Sequence, residues 1–359
     1  MKKSSKIRRN IIVKMAAAAV LAGIFLTGCG GRYAGGNRTR KGLDALENGD
    51  PNKALEYISA GIEKGEDLLM AYRAKGIAEI ALARYAQAAE SLERSLEYAD
   101  DKMPDTIEDI RLYLALADYR AGDYEKAASV CEDILELDQT VSDAWFLEGA
   151  SKLKLDDQQG AAGCFDTAVA LENGNYHLYL RVYEVYEEEN LTALGDEYLQ
   201  KALNILPETT EEQYEVSQIY YYLQDYENAR DMLLKPVDDK YVPAISLMGE
   251  VYLAMEDYAH AGAMYELIQE VEGETPIVDN GFALCALSSG DYEDALNYIN
   301  KGLALEEEEG KQQLRFNEIV VYERMLDFAA AFVKAEAYNA LYPGDEAGIK
   351  ELKFLRTRN

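Results

Sequence analysis

Carboxylate and phenol side chains occur together in four copies of the pattern Asp-Tyr-x-x-Ala. The copies begin at Asp123, Asp225, Asp257 and Asp291, and the first also contains Lys126. An acid, a phenol and an ammonium group this close in sequence are the kinds of group that transfer protons in active sites. The alanines that end the last three copies are 32 and 34 residues apart. A period near 34 is typical of a helical repeat array, so the pattern indicates a joint between helices rather than a catalytic site.

Motifs of catalysis and metal binding are absent from the sequence. It contains no G-x-S-x-G, H-E-x-x-H, P-loop or EF-hand pattern and no C-x-x-C pair. Its two histidines, His177 and His260, are too few and too scattered for a zinc site. The acidic runs 187–189 and 306–309 lack alternating ligands and a turn glycine, so they are interpreted as solvated helix ends. We therefore predict no enzymatic activity, no cofactor and no metal.

The charge balance bears on the kind of partner. Acidic residues outnumber basic residues 66 to 36 in the 359-residue chain, giving a formal charge of -30. Such a surface repels phosphate backbones, so nucleic acid is an unlikely ligand. Hydrophobic residues make up 48% of the chain, enough for a buried core, and 27 residues are tyrosine.

The N-terminal segment carries an export pattern. Six lysines and arginines before residue 15 precede an apolar run from Met15 to Leu26, which is too short to span a bilayer comfortably. The run ends in Leu26-Thr27-Gly28-Cys29, which resembles the lipobox of bacterial lipoproteins. The resemblance implies cleavage before Cys29, acylation of its thiol, and display on the outer side of the cell membrane. An uncleaved anchor with an incidental cysteine stays open as the alternative. We assign residues 1–28 to a signal peptide and 29–37 to a lipidated, glycine-rich tether.

Small residues mark a repeat along the rest of the chain. Apolar residues recur there at i, i+3, i+4 and i+7, which is typical of helices. The intervals between the small residues are 34, 39, 34, 34, 34, 32, 34 and 36. The series predicts nine helix pairs and a last helix from about Asp345 to Arg358. The small residues are Ala54, Ala88, Ala127, Ala161, Gly195, Ala229, Ala261, Ala295 and Ala331.

One unit shows the nature of the repeat most clearly: Trp145 and Gly149 are followed by Ala161, Phe165 and Ala168. This spacing is similar to the tetratricopeptide repeat, although the tryptophan occurs once. The resemblance implies an all-α fold over residues 38–359, an α-α superhelix or solenoid of about nine helix-turn-helix repeats with a C-terminal capping helix. In that family the first helices line a concave groove that holds peptides or partner helices.

The resemblance also places candidate partner-binding residues on the groove side of the first helices. Tyrosine and arginine are enriched at binding hot spots, but tyrosine also serves in cores, so packing between helices is the alternative role for each tyrosine. Consecutive helix residues are about 100° apart. Tyr220, Tyr221 and Tyr222 therefore cannot all enter one core: at least one is exposed or packs against a different neighbour. The candidates are Tyr119, Arg120, Glu184, Glu187, Tyr214, Gln218, Tyr221 and Tyr222.

These features favour one function over two others. The first is a membrane-tethered scaffold that binds a protein or peptide partner outside the cytoplasm. The second is a lipoprotein that captures a glycan or solute by stacking it on tyrosines, and the third is an enzyme. Three further cysteines, Cys131, Cys164 and Cys285, lie among apolar residues and are expected to be small buried hydrophobes, with one Cys131–Cys164 disulfide left open.

Overall fold

A computed structural model of the protein describes residues 36–358, and this part of the chain contains nineteen α-helices and no strand. The predicted signal peptide, the lipidated Cys29 and most of the predicted tether lie outside the described residues. No helix within 36–358 has both the length and the apolar character needed to cross a bilayer. The helices, numbered in chain order, are α1 Asn37–Glu47, α2 Pro51–Glu63, α3 Leu68–Ala81, α4 Tyr85–Leu96, α5 Pro104–Ala121, α6 Tyr124–Leu135, α7 Ser142–Lys154, α8 Gln158–Leu171, α9 Tyr176–Glu188, α10 Thr192–Ala202, α11 Thr210–Tyr222, α12 Tyr226–Asp238, α13 Val242–Ala254, α14 Tyr258–Glu272, α15 Pro276–Ser289, α16 Tyr292–Leu303, α17 Lys311–Arg324, α18 Phe328–Leu341 and α19 Glu346–Leu355.

The helices form nine pairs, from α1–α2 to α17–α18, followed by α19. This confirms the predicted all-α class, the nine helix-turn-helix units and the final helix. The first helix begins at Asn37, one residue before the predicted start of the array. The helices group into two compact units. One unit comprises residues 36–178 with 185–191, and the other comprises 179–184 with 192–358.

The row of small residues lies where the two helices of each pair cross. All eight alanines of the row are fully buried, and Gly195 is buried as well. The first helix often has a small residue at the crossing too. A Cβ added at Gly149 would lie 2.8 Å from the ring of Phe165, and one added at Gly249 would lie 2.8 Å from Tyr265. Protein interiors are packed without slack, so these residues fix the distance between the helices.

Each turn within a pair has the same backbone design. One residue at the end of the first helix has a positive φ in each of the nine turns: it is the C-cap itself at Gly122 and Gly290, and the residue after the C-cap at the other seven. The next N–H donates to the carbonyl five residues earlier, as in the Schellman motif. Glycine supplies the positive φ at Gly49, Gly122 and Gly290, whereas other residues adopt it at the remaining turns. In the turns within pairs, the positive-φ residues that are not glycine are Ala83, Asp156, Asn190, Gln224, Glu256 and Leu326.

Aspartate then begins the second helix in most pairs. The carboxylates of Asp225, Asp257 and Asp291 each accept the backbone N–H three residues on, which is the usual role of an N-cap aspartate. Asp123 is an exception at one turn. It occupies the N-cap position of α6, but its carboxylate lies 3.2 Å from the Nζ of Lys126 and accepts no backbone N–H. The Asp123 carboxylate and the Lys126 ammonium group therefore form an ion pair on the surface.

Tyr265 connects three helices of the second unit. It extends from α14, its side chain is 2% exposed, and it packs between Gly249 of α13 and Gly281 of α15. Burial of a ring this large is a major source of core stability. Its position depends on the absence of a side chain at both glycines.

We predict opposite effects of two Gly→Ala substitutions in neighbouring helices. A Cβ at Gly281 would overlap Tyr265, whereas one at Gly262, in the middle of α14, would meet no atom within 4 Å. Gly281→Ala should therefore destabilise the protein by about 1–3 kcal/mol. Gly262→Ala should stabilise it by about 0.5–1 kcal/mol, because alanine is the better helix former. Urea unfolding followed by circular dichroism measures both, and a higher midpoint for Gly281→Ala would contradict the packing described.

Candidate functional site

The second unit contains a groove of about 410 Å³ lined mainly by the first helices α11 and α13. Tyr214, Gln218, Tyr221 and Tyr222 of α11 all line it, so four of the eight predicted partner-binding residues lie together. The other lining residues are Val242, Pro243, Ser246, Leu247, Glu250, Glu272, Ile277 and Glu309.

The tyrosines form the wall of the groove more than its open surface. Tyr221 is 7% exposed and Tyr222 is 6% exposed. The Tyr221 ring packs against Tyr226 of α12 with a centroid distance of 5.7 Å, and the Tyr222 ring packs against Tyr183 of α9 at 5.2 Å. Tyr220 is half-buried. The three consecutive tyrosines thus pack against different neighbours, which is one of the two predicted outcomes.

Polar atoms on the groove wall keep unused hydrogen-bonding capacity. The Gln218 amide donates to the Tyr214 hydroxyl at 3.1 Å, which leaves the Gln218 carbonyl oxygen able to accept. Within residues 36–358 the Tyr221 hydroxyl makes no hydrogen bond, although the side chain is more than nine-tenths buried. The hydroxyl can therefore bond to water or to a ligand that enters the groove.

Glu250 is the most unusual residue of the groove. It extends from α13 and is half-buried, and in the described part of the chain its carboxylate has neither a hydrogen-bond partner nor an ion pair. Burial raises the pKa of Glu250 to about 7. Burial is also the main cause that raises the pKa values of Tyr214, Tyr221 and Tyr265, and the nearby charge of Glu250 raises them further. A carboxyl group with this environment holds a proton far more tightly than an exposed glutamate.

Two further glutamates border the groove and were missed in the sequence. Glu272 ends α14, and Glu309 lies in the connection between α16 and α17. Both are exposed. In sequence the run 306–309 has only the features of a solvated helix end, and the repeat pattern carries information about the first helices but not about the connections between repeats. The lining residues Val242, Leu247 and Ile277 carry no sequence signal that separates them from core residues.

The other predicted partner-binding residues do not line this groove. Tyr119, Arg120 and Glu187 belong to the first unit, while Glu184 belongs to the second. Tyr119 is 6% exposed and packs against Tyr124, and Glu184 is 5% exposed, whereas Arg120 and Glu187 are half-buried. Tyr119 and Glu184 are therefore mostly buried, and a role of these four residues in partner binding stays a prediction.

Basic side chains of the first unit are neutralised rather than displayed. The Arg73 guanidinium donates twice to Asp109, with one contact at 3.0 Å, and lies over the Tyr113 ring. Lys154 contacts Glu188 at 3.3 Å and Glu189 at 2.6 Å. Arg73 and Lys154 are therefore held in ion pairs, and neither cation is presented alone to a partner.

The remaining reactive groups do not form a chemical site. Cys131 and Cys164 are buried free thiols, and Cys285 is a half-buried one. Burial raises the pKa of Cys164 and of Cys285 to about 11, so both thiols are protonated and unreactive at neutral pH. Among residues 36–358 no three His, Cys, Asp or Glu side chains are arranged to hold a metal ion.

Comparison with known proteins gives similarity of structure only. No family model and no curated protein matches the sequence. Among solved structures, PilW, a widely conserved type IV pilus biogenesis factor, is similar at 17% identity and a TM-score of 0.38, over 60% of this chain and 99% of PilW. A tetratricopeptide repeat protein from Parabacteroides merdae is similar at 13% identity and a TM-score of 0.40, over 78% of this chain and 96% of its own. The human IFIT1 dimer with m7Gppp-AAAA is similar at 16% identity and a TM-score of 0.43, over 96% of this chain and 86% of its own. At these values no ligand or activity transfers to this chain.

We predict that Glu250→Gln stabilises the protein at alkaline pH. Since the folded chain holds the Glu250 proton more tightly than the unfolded chain does, where the pKa is about 4.3, ionisation opposes folding. This penalty begins above about pH 4 and is complete once the pH exceeds about 7. The substitution should therefore add roughly 1–3 kcal/mol at pH 8, and about half of that gain should remain at pH 5.5.

Urea midpoints at the two pH values measure the effect. Glu266→Gln is the matched control, because Glu266 is an exposed residue of α14 and the change in net charge is the same. The control should change stability by less than about 0.5 kcal/mol at either pH. Equal gains from both substitutions would attribute the effect to net charge and contradict the environment described for Glu250.

Proposed function

We propose that the protein is a membrane-tethered scaffold outside the cytoplasm that binds a protein or peptide partner in the groove between α11 and α13. One observation carries this proposal. The groove brings four predicted binding residues together around Glu250, a carboxylate without a partner among residues 36–358. A groove used only for packing would bury apolar groups or satisfy its polar ones.

The form of the groove supports a peptide rather than a small metabolite. It is bordered by exposed glutamates at α14 and at the connection before α17, so it continues onto the solvent-facing surface. Its walls combine apolar side chains such as Val242 and Leu247 with a few polar atoms. Interfaces that bind side chains of a partner have this composition, an apolar centre with a polar rim.

The lipobox-like sequence at Cys29 supports the tether. The first helix begins at Asn37, eight residues after Cys29. A chain of this length reaches about 25 Å when fully extended. If Cys29 is acylated, the helices are held close to the membrane, and partner capture takes place at its surface.

We expect Cys29→Ser to release the protein from the membrane fraction. The serine hydroxyl replaces the thiol that would carry the lipid, so incorporation of an alkyne-bearing palmitate analogue should disappear and the protein should become extractable without detergent. Cys285→Ser is the matched control, since it removes a half-buried thiol elsewhere in the chain. Lipid labelling that persists in Cys29→Ser would disprove the tether.

Glycan capture is the second candidate, and the structure gives it less support. Stacking of a sugar requires an open aromatic face, but Tyr221 and Tyr222 are 7% and 6% exposed. The single tryptophan, Trp145, donates its indole N–H to the carbonyl of Gln139 at 2.9 Å and does not line the groove. This hydrogen bond holds the Trp145 ring against the connection that precedes α7.

Site-specific crosslinking tests the proposed partner binding. A photo-reactive amino acid at Gln218 or at Ser246 lies in the groove, whereas one at Glu266 lies on the outside of α14. In cells that naturally produce the protein, we expect one discrete adduct from the two groove positions and none from Glu266. Identical adduct patterns from all three positions, or none from the groove, would exclude the groove as the binding site.

A further inference from the structure

The groove combines acidic character with an absence of cations. Its carboxylates are Glu250, Glu272 and Glu309, and none of the residues that line it is lysine, arginine or histidine. The titratable groups that face Glu250 are the phenols of Tyr214 and Tyr221 on α11 and of Tyr265 on α14. No positive charge from any of these packed elements compensates the carboxylate.

A second observation is independent of the acidic residues. The Tyr221 side chain is more than nine-tenths buried on the groove wall, and its hydroxyl has no hydrogen-bond partner within the described chain. The Gln218 carbonyl oxygen is also available, because only the amide nitrogen of that residue is engaged. Each of these oxygens can accept a hydrogen bond, so together with the Glu250 carboxylate the wall offers three acceptor groups to a ligand that donates.

We propose that the groove binds the ammonium group of a lysine side chain that belongs to a basic segment of the partner. This rests on the proposed peptide-binding function and specifies the chemistry of its ligand. An ammonium group offers three donors and one positive charge, which match the Glu250 carboxylate together with the Tyr221 hydroxyl and the Gln218 carbonyl oxygen.

The rest of the groove fits the remainder of a lysine. Its four methylene groups pack against apolar surface, here Val242, Leu247 and the tyrosine rings, while the charged end reaches the carboxylate. The exposed Glu272 and Glu309 at the border attract further basic residues of the same segment, which raises the rate of encounter. An arginine side chain carries five N–H donors in a planar arrangement. Glu250 is the one half-buried carboxylate of the groove, so an arginine bound there would leave more of its donors without an acceptor than a lysine would.

Binding of fluorescein-labelled peptides to the full-length protein in detergent tests the inference. The probe is a peptide with three lysines between glycine and serine residues, and the comparison peptides carry N-ε-acetyl-lysine or arginine instead. Fluorescence anisotropy at 150 mM salt limits long-range attraction by the acidic surface, because the Debye length is then about 8 Å. We expect the lysine peptide to bind at least about tenfold more tightly than the acetylated peptide.

Two groove variants and one control variant assign the binding to the groove. Glu250→Gln should weaken the lysine peptide by about tenfold or more, since it removes the desolvated charge partner. Glu266→Gln changes the net charge equally and should alter the affinity less than twofold. Tyr221→Phe keeps the ring and removes the hydroxyl, and it should weaken binding severalfold without loss of fold. Circular dichroism of each variant verifies the fold.

Measuring the peptide affinity at several pH values separates binding at Glu250 from non-specific attraction by the acidic surface. Because burial raises the pKa of Glu250 to about 7, binding of the lysine peptide should weaken as the pH falls from 8 to 5.5. In Glu250→Gln this dependence should largely disappear, whereas in Glu266→Gln it should persist. An unchanged pH dependence in Glu250→Gln would overturn the inference.

Failure of this inference is distinct from failure of the proposed function. If Glu250→Gln and Glu266→Gln bind the lysine peptide equally, or if the acetylated or arginine peptide binds as well as the lysine peptide, the lysine site is wrong. Crosslinking from Gln218 to a partner would still support the groove as a binding surface. If no groove position crosslinks, the proposed function fails whatever the peptide measurements show.

Discussion

The close approach of two helices at a small residue is the constraint on which the rest of the structure depends. Each pair crosses at a buried alanine or glycine, and a large side chain such as Phe165 or Tyr265 fills the space beside the crossing. Helices that close cannot rotate independently, because a change of register would drive a Cβ into a ring. The crossing therefore decides which residues of each helix enter the core and which remain for a surface. No helix pair buries its faces alone, so within each compact unit the packing of one pair constrains the next.

Three consecutive tyrosines show the consequence for α11. With the crossing fixed, residues 100° apart on the helix face different neighbours, and Tyr221 meets α12 while Tyr222 meets α9. Their rings build the wall of the groove, and the polar atoms left at its surface determine what the groove can hold. The tyrosines that the sequence predicts as binding residues therefore mainly form the wall of the groove. The polar groups that can contact a ligand there include the Glu250 carboxylate and the Tyr221 hydroxyl.

The period of small residues was sufficient to predict the helix pairs and the final helix, since the spacing of alanines follows directly from the geometry of the crossing. Burial of Tyr119 and Glu184 was not predictable in the same way, because burial depends on the size and direction of side chains on neighbouring helices. The pairing of Lys154 with Glu188 and Glu189 depends on such a distant helix too. Glu309 was missed for another reason: it lies in a connection between pairs, where the repeat pattern gives no information.

Ionisation of Glu250 destabilises the fold that the helix crossings stabilise. Its buried environment makes the ionised form costly near neutral pH, and apolar or amide side chains of similar size would avoid that cost. Perturbed carboxyl groups cluster at functional sites, because a desolvated charge interacts strongly with a ligand that neutralises it. Ionisation of Glu250 in the empty groove is unfavourable because no positive charge lies beside it. A cation that enters the groove would stabilise the ionised carboxylate, and this stabilisation contributes to the affinity of the complex. In this way the same burial that weakens the fold at Glu250 makes the groove selective for positive charge.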